Sequence, residues 1–449
     1  MNHKINMPEK VKYILETLRE AGFEAYAVGG CVRDSLMGKT PHDWDLTTSA
    51  LPEQVKALFR RTLDTGIQHG TVTVMLESEG FEVTTYRLDG DYEDGRHPKE
   101  VTFTSNLIED LKRRDFTINA MAYNDEQGVV DEFDGIGDLE RGIIRCVGDP
   151  EERFSEDALR MLRAIRFSAQ LGYEIHEDTL DAIRKMAQNL KRVSAERIQT
   201  ELIKTLVSDH PEVLRVAYEV GLTAVFLPEF DRCMKTPQNN PHHCYNVGEH
   251  ILHSVMAIRA DKVLRVTMLL HDVGKPDTLT IDENGITHNH GHPEVGMDKT
   301  VEILKRLKFD NETIRQAARL VRYHDYRMEP SPKAIRRVAY MIGPELFWNL
   351  LEVQSADLAA QSEYQREEKE SRVREVRVIY QRILEEGNAL SVKDLAIGGN
   401  DLRAAGMKPG PQMGVVLNLL LDAVLDEPEL NTKEKLMELY LKWQDDADK

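Results

Sequence analysis

The chain has 449 residues, of which 41% are hydrophobic and 30% charged, and its formal net charge is -19 at pH 7. This length is enough for about three domains, and no apolar run approaches the ~20 residues that span a bilayer. The negative net charge argues against a nucleic-acid partner, because lysine and arginine supply most of the affinity for phosphate. Basic clusters can still form a local cationic surface, and they lie at Lys112-Arg113-Arg114, Arg160/Arg163/Arg166 and Arg336-Arg337.

The cysteines and the N-terminal sequence indicate a reducing environment. The four cysteines form no CxxC pair, which argues against both a disulfide framework and a cysteine zinc site. The first ten residues, MNHKINMPEK, lack the apolar core of a secretory signal. We therefore expect a cytoplasmic protein.

The first 148 residues alternate short apolar runs with polar turns. An amphipathic helix is predicted over residues 8–22, and the runs AYAV, GTVTVML and FEVTTYRL are typical of strands. The acidic, glycine-containing segment DGDYEDGRHP (Asp89 to Pro98) is predicted to be a mobile loop. This part of the chain is therefore predicted to be mixed α+β.

Helical patterns dominate after Asp149. The sequence Ser155-Glu156-Asp157 is predicted to open a helix that carries an apolar stripe and ends at Gly172. A proline- and asparagine-containing link at 237–243 precedes a histidine-rich helical block, and a highly charged stretch at 361–377 precedes a last small unit.

The segment from Gly29 to Asp45, GGCVRDSLMGKTPHDWD, is the most informative motif. Gly29 and Gly30 follow a predicted strand, where backbone N–H groups can approach a phosphate without a Cβ in the way. Asp43 and Asp45 would lie on one face of a strand, roughly 6.5 Å apart, which suits shared divalent cations. Two such cations can activate a hydroxyl and stabilise a leaving oxygen in phosphoryl transfer. An acidic surface turn is the alternative, which the glycine pair and Arg33 disfavour.

Two further segments add candidate groups to this site. Glu82 lies on a predicted neighbouring strand and is either a third acid or an ordinary exposed glutamate. The block RRDFTIN places Arg114, Asp115 and Asn119 together, as a clamp for phosphate and ribose. Its alternative is a helix N-terminus with Asp115 near the positive end of the dipole.

Asp157, Arg160, Arg163 and Arg166 recur at intervals of three along one predicted helix. Residues three apart are neighbours on a helix face, so a salt-bridge ladder is the simplest interpretation. The alternative is base selection, since aspartate accepts from an exocyclic amine and arginine donates to a ring nitrogen. Cytosine and adenine both present an amine beside a ring-nitrogen acceptor, whereas uracil and guanine present the reverse. An Asp157/Arg160 pair would thus accept C and A.

These motifs, in this order and followed by SAERI (Ser194 to Ile198), closely resemble class II tRNA nucleotidyltransferases, the CCA-adding enzymes of the DNA polymerase β superfamily. Bacterial poly(A) polymerases are related to them. The resemblance covers roughly the first 225 residues densely. It implies an α+β fold in which a mixed-sheet nucleotidyltransferase head is followed by all-α domains.

The resemblance also implies residue roles and partners. The positions of Asp43 and Asp45 hold Mg²⁺, and the loop from Asp89 to Pro98 helps to switch the site from C to A addition. The nucleotide is contacted by the glycine pair, by the clamp and by the helix; these positions are Gly29, Gly30, Arg33, Arg114, Asp115, Asn119, Asp157, Arg160, Arg163 and Arg166. The substrates implied are tRNA, CTP and ATP, and the final unit, with IGGNDLRAAGMKPGPQMG, would grip the tRNA body.

The histidine-rich block separately resembles the HD superfamily of metal-dependent phosphohydrolases. Neutral imidazoles and carboxylates bind divalent metals and can lower the pKa of bound water. By this resemblance the core ligands are His250, His271, Asp272 and Asp357, with His292 and His324 as candidates for a second metal. His243 and His253 are alternatives to His250, and the metal and its substrate stay open.

The leading hypothesis is a template-independent enzyme that builds or repairs the 3′ CCA end of tRNA. One alternative is an A-adding enzyme or poly(A) polymerase, and another is a phosphohydrolase whose head only binds RNA or nucleotides. The predicted domains are a head (1–148), a helical neck (149–232), an HD domain (233–370) and a tRNA-binding tail (371–449).

Overall fold

The computed structural model describes residues 4–89 and 101–447. The chain divides into two compact units, Met1–Pro228 and Glu229–Lys449. The first contains a mixed sheet with helices, and the described part of the second is almost entirely helical, so the predicted α+β class is confirmed. Apart from Asp89, the predicted loop from Asp89 to Pro98 lies outside the described residues. The division into four domains stays a prediction.

The elements of the first unit are bounded as follows. The strands are β1 (Ala25–Val28), β2 (Leu46–Thr48), β3 (Thr62–Gly66), β4 (Thr71–Leu76), β5 (Glu79–Thr85), β6 (Arg87–Asp89), β7 (Val101–Phe103), β8 (Ala122–Asn124), β9 (Gly128–Val130), β10 (Ile143–Ile144) and β11 (Glu174–Ile175). The helices are α1 (Glu9–Glu20), α2 (Gly30–Leu36), α3 (Pro52–Leu58), α4 (Leu107–Lys112), α5 (Gly135–Arg141), α6 (Pro150–Glu156), α7 (Leu159–Leu171), α8 (Glu177–Met186), α9 (Ala195–Leu206), α10 (Leu214–Glu219), α11 (Thr223–Phe226) and α12 (Pro228–Met234), which runs into the second unit.

The second unit adds one short hairpin to its helices. The hairpin is β12 (Thr280–Ile281) and β13 (Thr287–His288). The helices are α13 (Val247–Ala257), α14 (Lys262–Leu270), α15 (Lys275–Thr278), α16 (His292–Arg306), α17 (Asn311–Tyr323), α18 (Pro332–Ile342), α19 (Pro344–Ala359), α20 (Arg366–Glu385), α21 (Gly399–Ala404), α22 (Pro411–Asp426) and α23 (Lys433–Ala447). No helix in the described ranges is both long and apolar enough to cross a membrane.

Within the described residues, the main sheet has seven strands in the order β3-β4-β5-β2-β1-β8-β9. Strand β2 pairs antiparallel with β1 and parallel with β5, so the sheet is mixed. The β2–β5 register places Leu46 beside Val83. The residues that precede these two partners, Asp45 and Glu82, therefore reach the same region of the sheet.

Both faces of the central strands are covered. Ala25 and Ala27 of β1 join a core with the apolar stripe of α1, whereas Tyr26 and Val28 join a second core on the opposite face. All four residues of β1 are buried, because successive side chains of a strand alternate between its two faces. Because β1 is covered on both faces, all four of its residues are apolar, and this accounts for the uninterrupted run AYAV.

The helix predicted to open at Ser155 is in fact two helices. Helix α6 ends at Glu156 and α7 begins at Leu159, and the side chain of Asp157 accepts a hydrogen bond from the Leu159 N–H at 3.0 Å. Asp157 thus ends α6, and its carboxylate makes a local bond to the following backbone, which aspartate favours over a helix-interior position. The prediction that Asp157 shares one continuous helix face with Arg160 is wrong. The predicted end at Gly172 is confirmed, since Gly172 has a φ of 70°.

Candidate active site and candidate metal centre

The acidic groups of the head lie before β2 and in the middle of β5, so the prediction that Asp43 and Asp45 lie on one face of a strand is wrong. Asp43 and Asp45 precede β2, and Glu82 lies on β5 beside Asp45 in the parallel register. The backbone of Asp45 is fixed because its carbonyl accepts from the Val28 N–H of β1 at 2.9 Å. Sheet pairing therefore positions the aspartate pair and the glutamate together.

These carboxylates perturb one another. Desolvation raises the pKa of Asp45, and Asp43 adds to this, while Arg114 acts in the opposite direction. The pKa of Glu82 is likewise raised, first by desolvation and then by Asp45 and Asp43. Their oxygens do not form a set within 4.8 Å among the described residues. All three donors are nevertheless carboxylate oxygens, the ligand type that hard divalent cations prefer.

Arg114 lies between the glycine pair and the acids. A Cβ on Gly29 would stand 2.9 Å from its Nη1 atom, and Gly29 has a φ of 79°. The carboxylate of Asp110, which is fully buried, lies 3.7 Å from Arg114 and also pairs with Arg113 at 2.7 Å. The prediction that both glycine N–H groups are available to phosphate is wrong for Gly29, because its N–H donates to the Met121 carbonyl at 3.0 Å.

We expect Gly29→Ala to reduce nucleotide addition by displacing Arg114, and Gly38→Ala is a matched control. Gly38 has a similar φ of 71°, but nothing lies within 4 Å of its Cβ position. Both variants carry a backbone strain of about 1–3 kcal/mol. Thermal unfolding and primer-extension rates measured on both variants should show similar destabilisation and a loss of rate only in Gly29→Ala. Equal rates in the two variants would contradict the role assigned to this contact.

The clamp residues form a continuous chain of polar contacts. Arg33 donates to the Asn119 side-chain oxygen at 2.6 Å and to Asp34 at 2.7 Å. The Asn119 amide donates to Asp115 at 3.3 Å, and Asp115 accepts from Arg163 of α7 at 2.6 Å. The predicted residues of α2, the RRDFTIN block and α7 are therefore joined in one network.

The ionised carboxylate of Asp115 is expected to stabilise the head at pH values above the pKa of Asp115. Burial alone would raise this pKa, but Arg163 and Arg160 lower it to about 2. A lowered folded-state pKa gives stability that is present above the unfolded value near 4 and lost as the pH falls towards 2, by about 2 kcal/mol. Urea unfolding at pH 6 and pH 3 should show Asp115→Asn less stable than wild type at pH 6, with a smaller difference at pH 3. A pH-independent difference would contradict this.

Phe167 organises three guanidinium groups, and the sequence interpretation overlooked it. Its ring lies 5.2 Å from Arg33, 5.4 Å from Arg163 and 4.1 Å from Arg166. Arg166 also pairs with Glu201 of α9 at 2.8 Å, and burial lowers the pKa of Arg166 to about 10. Guanidinium groups favour aromatic faces, so the aromatic ring at the end of RAIRF could have signalled this arrangement.

The backbones of Asp157 and Arg160 are joined, since the Arg160 N–H donates to the Asp157 carbonyl at 3.0 Å, but their side chains bind other residues. Asp157 pairs with Arg197 of α9 at 2.6 Å. Arg160 is bonded to Glu156 and donates to the Arg113 carbonyl at 2.8 Å. The two side chains thus have separate partners, and their selection of a base stays a prediction. Arg197, within the SAERI motif, is the partner that helix spacing alone did not reveal.

In the second unit, all six predicted His and Asp residues meet in one buried cluster. Two sets of three have ligand atoms within 4.8 Å of one another, and Asp272 belongs to both: His250, His271 and Asp272, and Asp272, His292 and His324. Asp357 of α19 joins the first set, with its Oδ1 atom 2.8 Å from His250 Nε2. His243 belongs to neither set, which favours the choice of His250.

Each histidine of the cluster is oriented by a backbone carbonyl. The Nδ1 atoms of His271, His292 and His324 lie 2.7–2.8 Å from the carbonyl oxygen three residues earlier, and that of His250 is 3.3 Å from Ala360. The Nδ1 atoms therefore act as donors, and the Nε2 atoms face the carboxylates. This is how metal-ligating histidines are usually held, so the donor set fits a divalent cation.

The charges of the cluster are strongly coupled. Lys275 and His271 hold the pKa of Asp272 well below its usual range despite its burial, and Lys275 Nζ lies 2.6 Å from Asp272. Burial would lower the pKa of His271, but Asp272 and Asp357 raise it to about 10. Lys275, three residues after Asp272, was not among the predicted site residues, although it ends the segment VTMLLHDVGK.

The sequence matches three family profiles. Residues 25–145 match the "Poly A polymerase head domain", and residues 172–234 match the "Probable RNA and SrmB- binding site of polymerase A". Residues 294–440 match the "tRNA nucleotidyltransferase domain 2 putative". Together these profiles cover parts of both structural units.

One similar protein and one similar structure each span nearly the whole chain, and a second protein matches less than half of it. A CCA-adding enzyme of Levilactobacillus brevis is 35% identical over 433 residues, covering 96% of both chains. One from Leuconostoc mesenteroides is 56% identical over 194 residues, which are 43% of this chain and 48% of that protein. The structure of the Bacillus stearothermophilus CCA-adding enzyme in complex with CTP is similar with a TM-score of 0.70 at 29% identity, covering 98% of this chain and all of that one.

Proposed function

Because this chain belongs to the family of CCA-adding enzymes, we propose that it adds cytidine and adenosine nucleotides to the 3′ end of tRNA. The terminal 3′-hydroxyl would attack the α-phosphorus of CTP or ATP, forming a phosphodiester and releasing pyrophosphate. The observation that carries the site assignment is the grouping of Asp43, Asp45 and Glu82 beside Arg114.

Each group of the head has a proposed role. Asp43, Asp45 and Glu82 would hold Mg²⁺. When bound, Mg²⁺ would lower the pKa of the attacking hydroxyl and neutralise negative charge on the leaving pyrophosphate. The guanidinium groups of Arg33 and Arg114 would bind phosphate oxygens, as arginine forks do in phosphate sites. Asn119 keeps Arg33 in place through the 2.6 Å hydrogen bond.

Base selection would belong to Asp157 and Arg160, after they exchange their present partners for the Watson–Crick edge of the base. We expect Asp157→Ala to relax discrimination against UTP by about 10-fold or more, since one good hydrogen-bond pair contributes about 1–3 kcal/mol. Competition between UTP and CTP in single-nucleotide addition measures this ratio. Arg197→Ala is the control that removes the present partner of Asp157 while leaving its carboxylate. Unchanged discrimination in Asp157→Ala would refute the assignment.

A primer series tests the activity itself. Purified protein receives labelled CTP or ATP with tRNA that ends before CCA, after C or after CC, and with an unrelated RNA. We expect both nucleotides to be incorporated on tRNA, with addition stopping after A. Addition of A alone, or continued addition on the unrelated RNA, would select the A-adding or poly(A) alternative instead. Both relatives described above carry the name CCA-adding enzyme, which favours the first outcome.

We also propose that the second unit contains a metal-dependent phosphohydrolase centre of the HD type. Two observations favour it: the sets of three ligands that share Asp272, and a cavity of about 690 Å³ lined by Asp272, His292, His324 and Asp357. A cation held there would lower the pKa of a bound water for attack on phosphorus. Metal-dependent phosphoester hydrolysis that survives Asp43→Asn but not Asp272→Asn would support this proposal. Its absence under all divalent metals would refute it.

A further inference from the structure

The cavity beside the histidine cluster has two chemically different regions. Four residues of the cluster, Asp272, His292, His324 and Asp357, supply one region, with two imidazoles and two carboxylates. The other contains the cationic side chains of Arg327, Lys369 and Arg372. Among the residues that the structure describes, none of these three forms a salt bridge within 4.0 Å, although Asp325 and Glu368 line the same cavity. Their positive charges are therefore free to bind an anion.

Lys369 is held in a defined position by two neutral partners. Its Nζ atom donates to the Gln361 side-chain oxygen at 2.8 Å and lies 3.1 Å from His242 Nδ1. The amide of Gln361 in turn donates to Asp357 Oδ2 at 2.9 Å. One glutamine side chain thus bridges the ammonium group to a carboxylate of the cluster. Desolvation lowers the pKa of Lys369, as expected for a cation that lacks a carboxylate partner.

The size of the cavity is a second constraint on which substrate can bind there. Its volume of about 690 Å³ is much larger than a single phosphate needs and lies within the usual range for organic ligands. Tyr326 at its wall is 46% exposed and offers an aromatic face for a base. A substrate that fills the cavity therefore has an organic group and reaches the cations as well as the cluster.

We propose that Lys369 and Arg372 bind a second phosphate of the substrate, so that the centre acts on nucleotide-sized esters that carry two phosphate groups. This inference rests on the proposed phosphohydrolase function. Water would add to the phosphorus above the cluster, the ester P–O bond would break, and the alcohol oxygen would leave with a proton. The phosphate at Lys369 would stay attached, serving only for binding.

Binding by full-length, metal-loaded protein tests the inference without relying on turnover. The probes are adenosine 3′,5′-bisphosphate and adenosine 5′-monophosphate, measured by calorimetry for wild type, Lys369→Gln and the control Lys305→Gln, which changes an exposed lysine of α16. We expect Lys369→Gln to raise the Kd of the bisphosphate about 5- to 10-fold and that of the monophosphate less than 2-fold. The head site is the same in all three proteins, so the difference reports on this cavity.

Each outcome decides one proposal. An unchanged bisphosphate Kd in Lys369→Gln, or an equal loss for both probes, overturns the inference. The expected pattern without any hydrolysis by wild type supports the binding of a second phosphate at Lys369 and overturns the hydrolase proposal, and with it the action on such esters. Arg372→Gln, a change at an exposed position of α20, gives an independent measurement if Lys369→Gln folds poorly.

Discussion

Replacing Asp43 or Asp45 by asparagine is expected to slow nucleotide addition by about 10³-fold or more, equivalent to about 4 kcal/mol in the activation barrier. The amide keeps the size of the side chain but removes the charge on which cation binding depends. Both residues are exposed by surface area, although neighbouring atoms partly desolvate the Asp45 carboxylate, so the fold should be preserved. Single-turnover extension of tRNA lacking its terminal A measures the effect directly.

Two measurements separate this loss from a general defect. Asp209→Asn changes another exposed aspartate of the first unit and should leave the rate unaltered. Because the charge of Asp45 adds to desolvation in raising the pKa of Glu82, Asp45→Asn should lower this pKa in part, with the contribution of desolvation remaining. A wild-type rate in either active-site variant would show that the chemistry takes place elsewhere.

Asp272→Asn is expected to remove bound metal from the second unit. Asp272 is the one residue common to both sets of ligands, so its loss weakens both positions, whereas a change at His292 touches only one. We expect at least a 10-fold weaker affinity for Mn²⁺, measured by calorimetry on the full chain after chelator treatment. Nucleotide addition to tRNA should persist.

Asp298→Asn is the matched control for this experiment. Asp298 lies on α16, as does His292, but it is exposed, so metal affinity should not change. Thermal unfolding of both variants distinguishes loss of a ligand from loss of the fold. Unchanged Mn²⁺ affinity in Asp272→Asn would remove the basis for a metal centre.

Periodicity and motif order predicted much of the architecture. The amphipathic pattern of residues 8–22 predicted α1, and the strand-like runs AYAV and FEVTTYRL correspond to β1 and β5. These signals are local, since each element buries a face whose period is visible in the chain. The convergence of the histidines is not local, and it was predicted only through a family resemblance.

The sequence predictions differ from the structure where a polar group has two competing partners. Asp157 suits a helix interior by spacing, yet it lies between α6 and α7, accepts from the Leu159 N–H and pairs with Arg197, forty residues further along. The Gly29 N–H was predicted to face phosphate and is taken by Met121. Asp110 and Lys275 were overlooked although each pairs with a residue three positions away, Arg113 and Asp272, a spacing that could have indicated both pairs. Phe167 was overlooked because its role depends on a tertiary neighbour, Arg33, that no spacing rule encodes.

The parallel pairing of β2 with β5 has a consequence for the order in which the protein becomes competent during synthesis. Asp43 and Asp45 leave the ribosome early, but their neighbour Glu82 follows 37 positions after Asp45. β1, on the other side of β2, also needs β8, whose last residue is Asn124. Strands that are so far apart in the sequence pair slowly during folding. A nascent chain that ends before Asn124 would therefore expose Asp43, Asp45 and Glu82 without the complete sheet that brings them together.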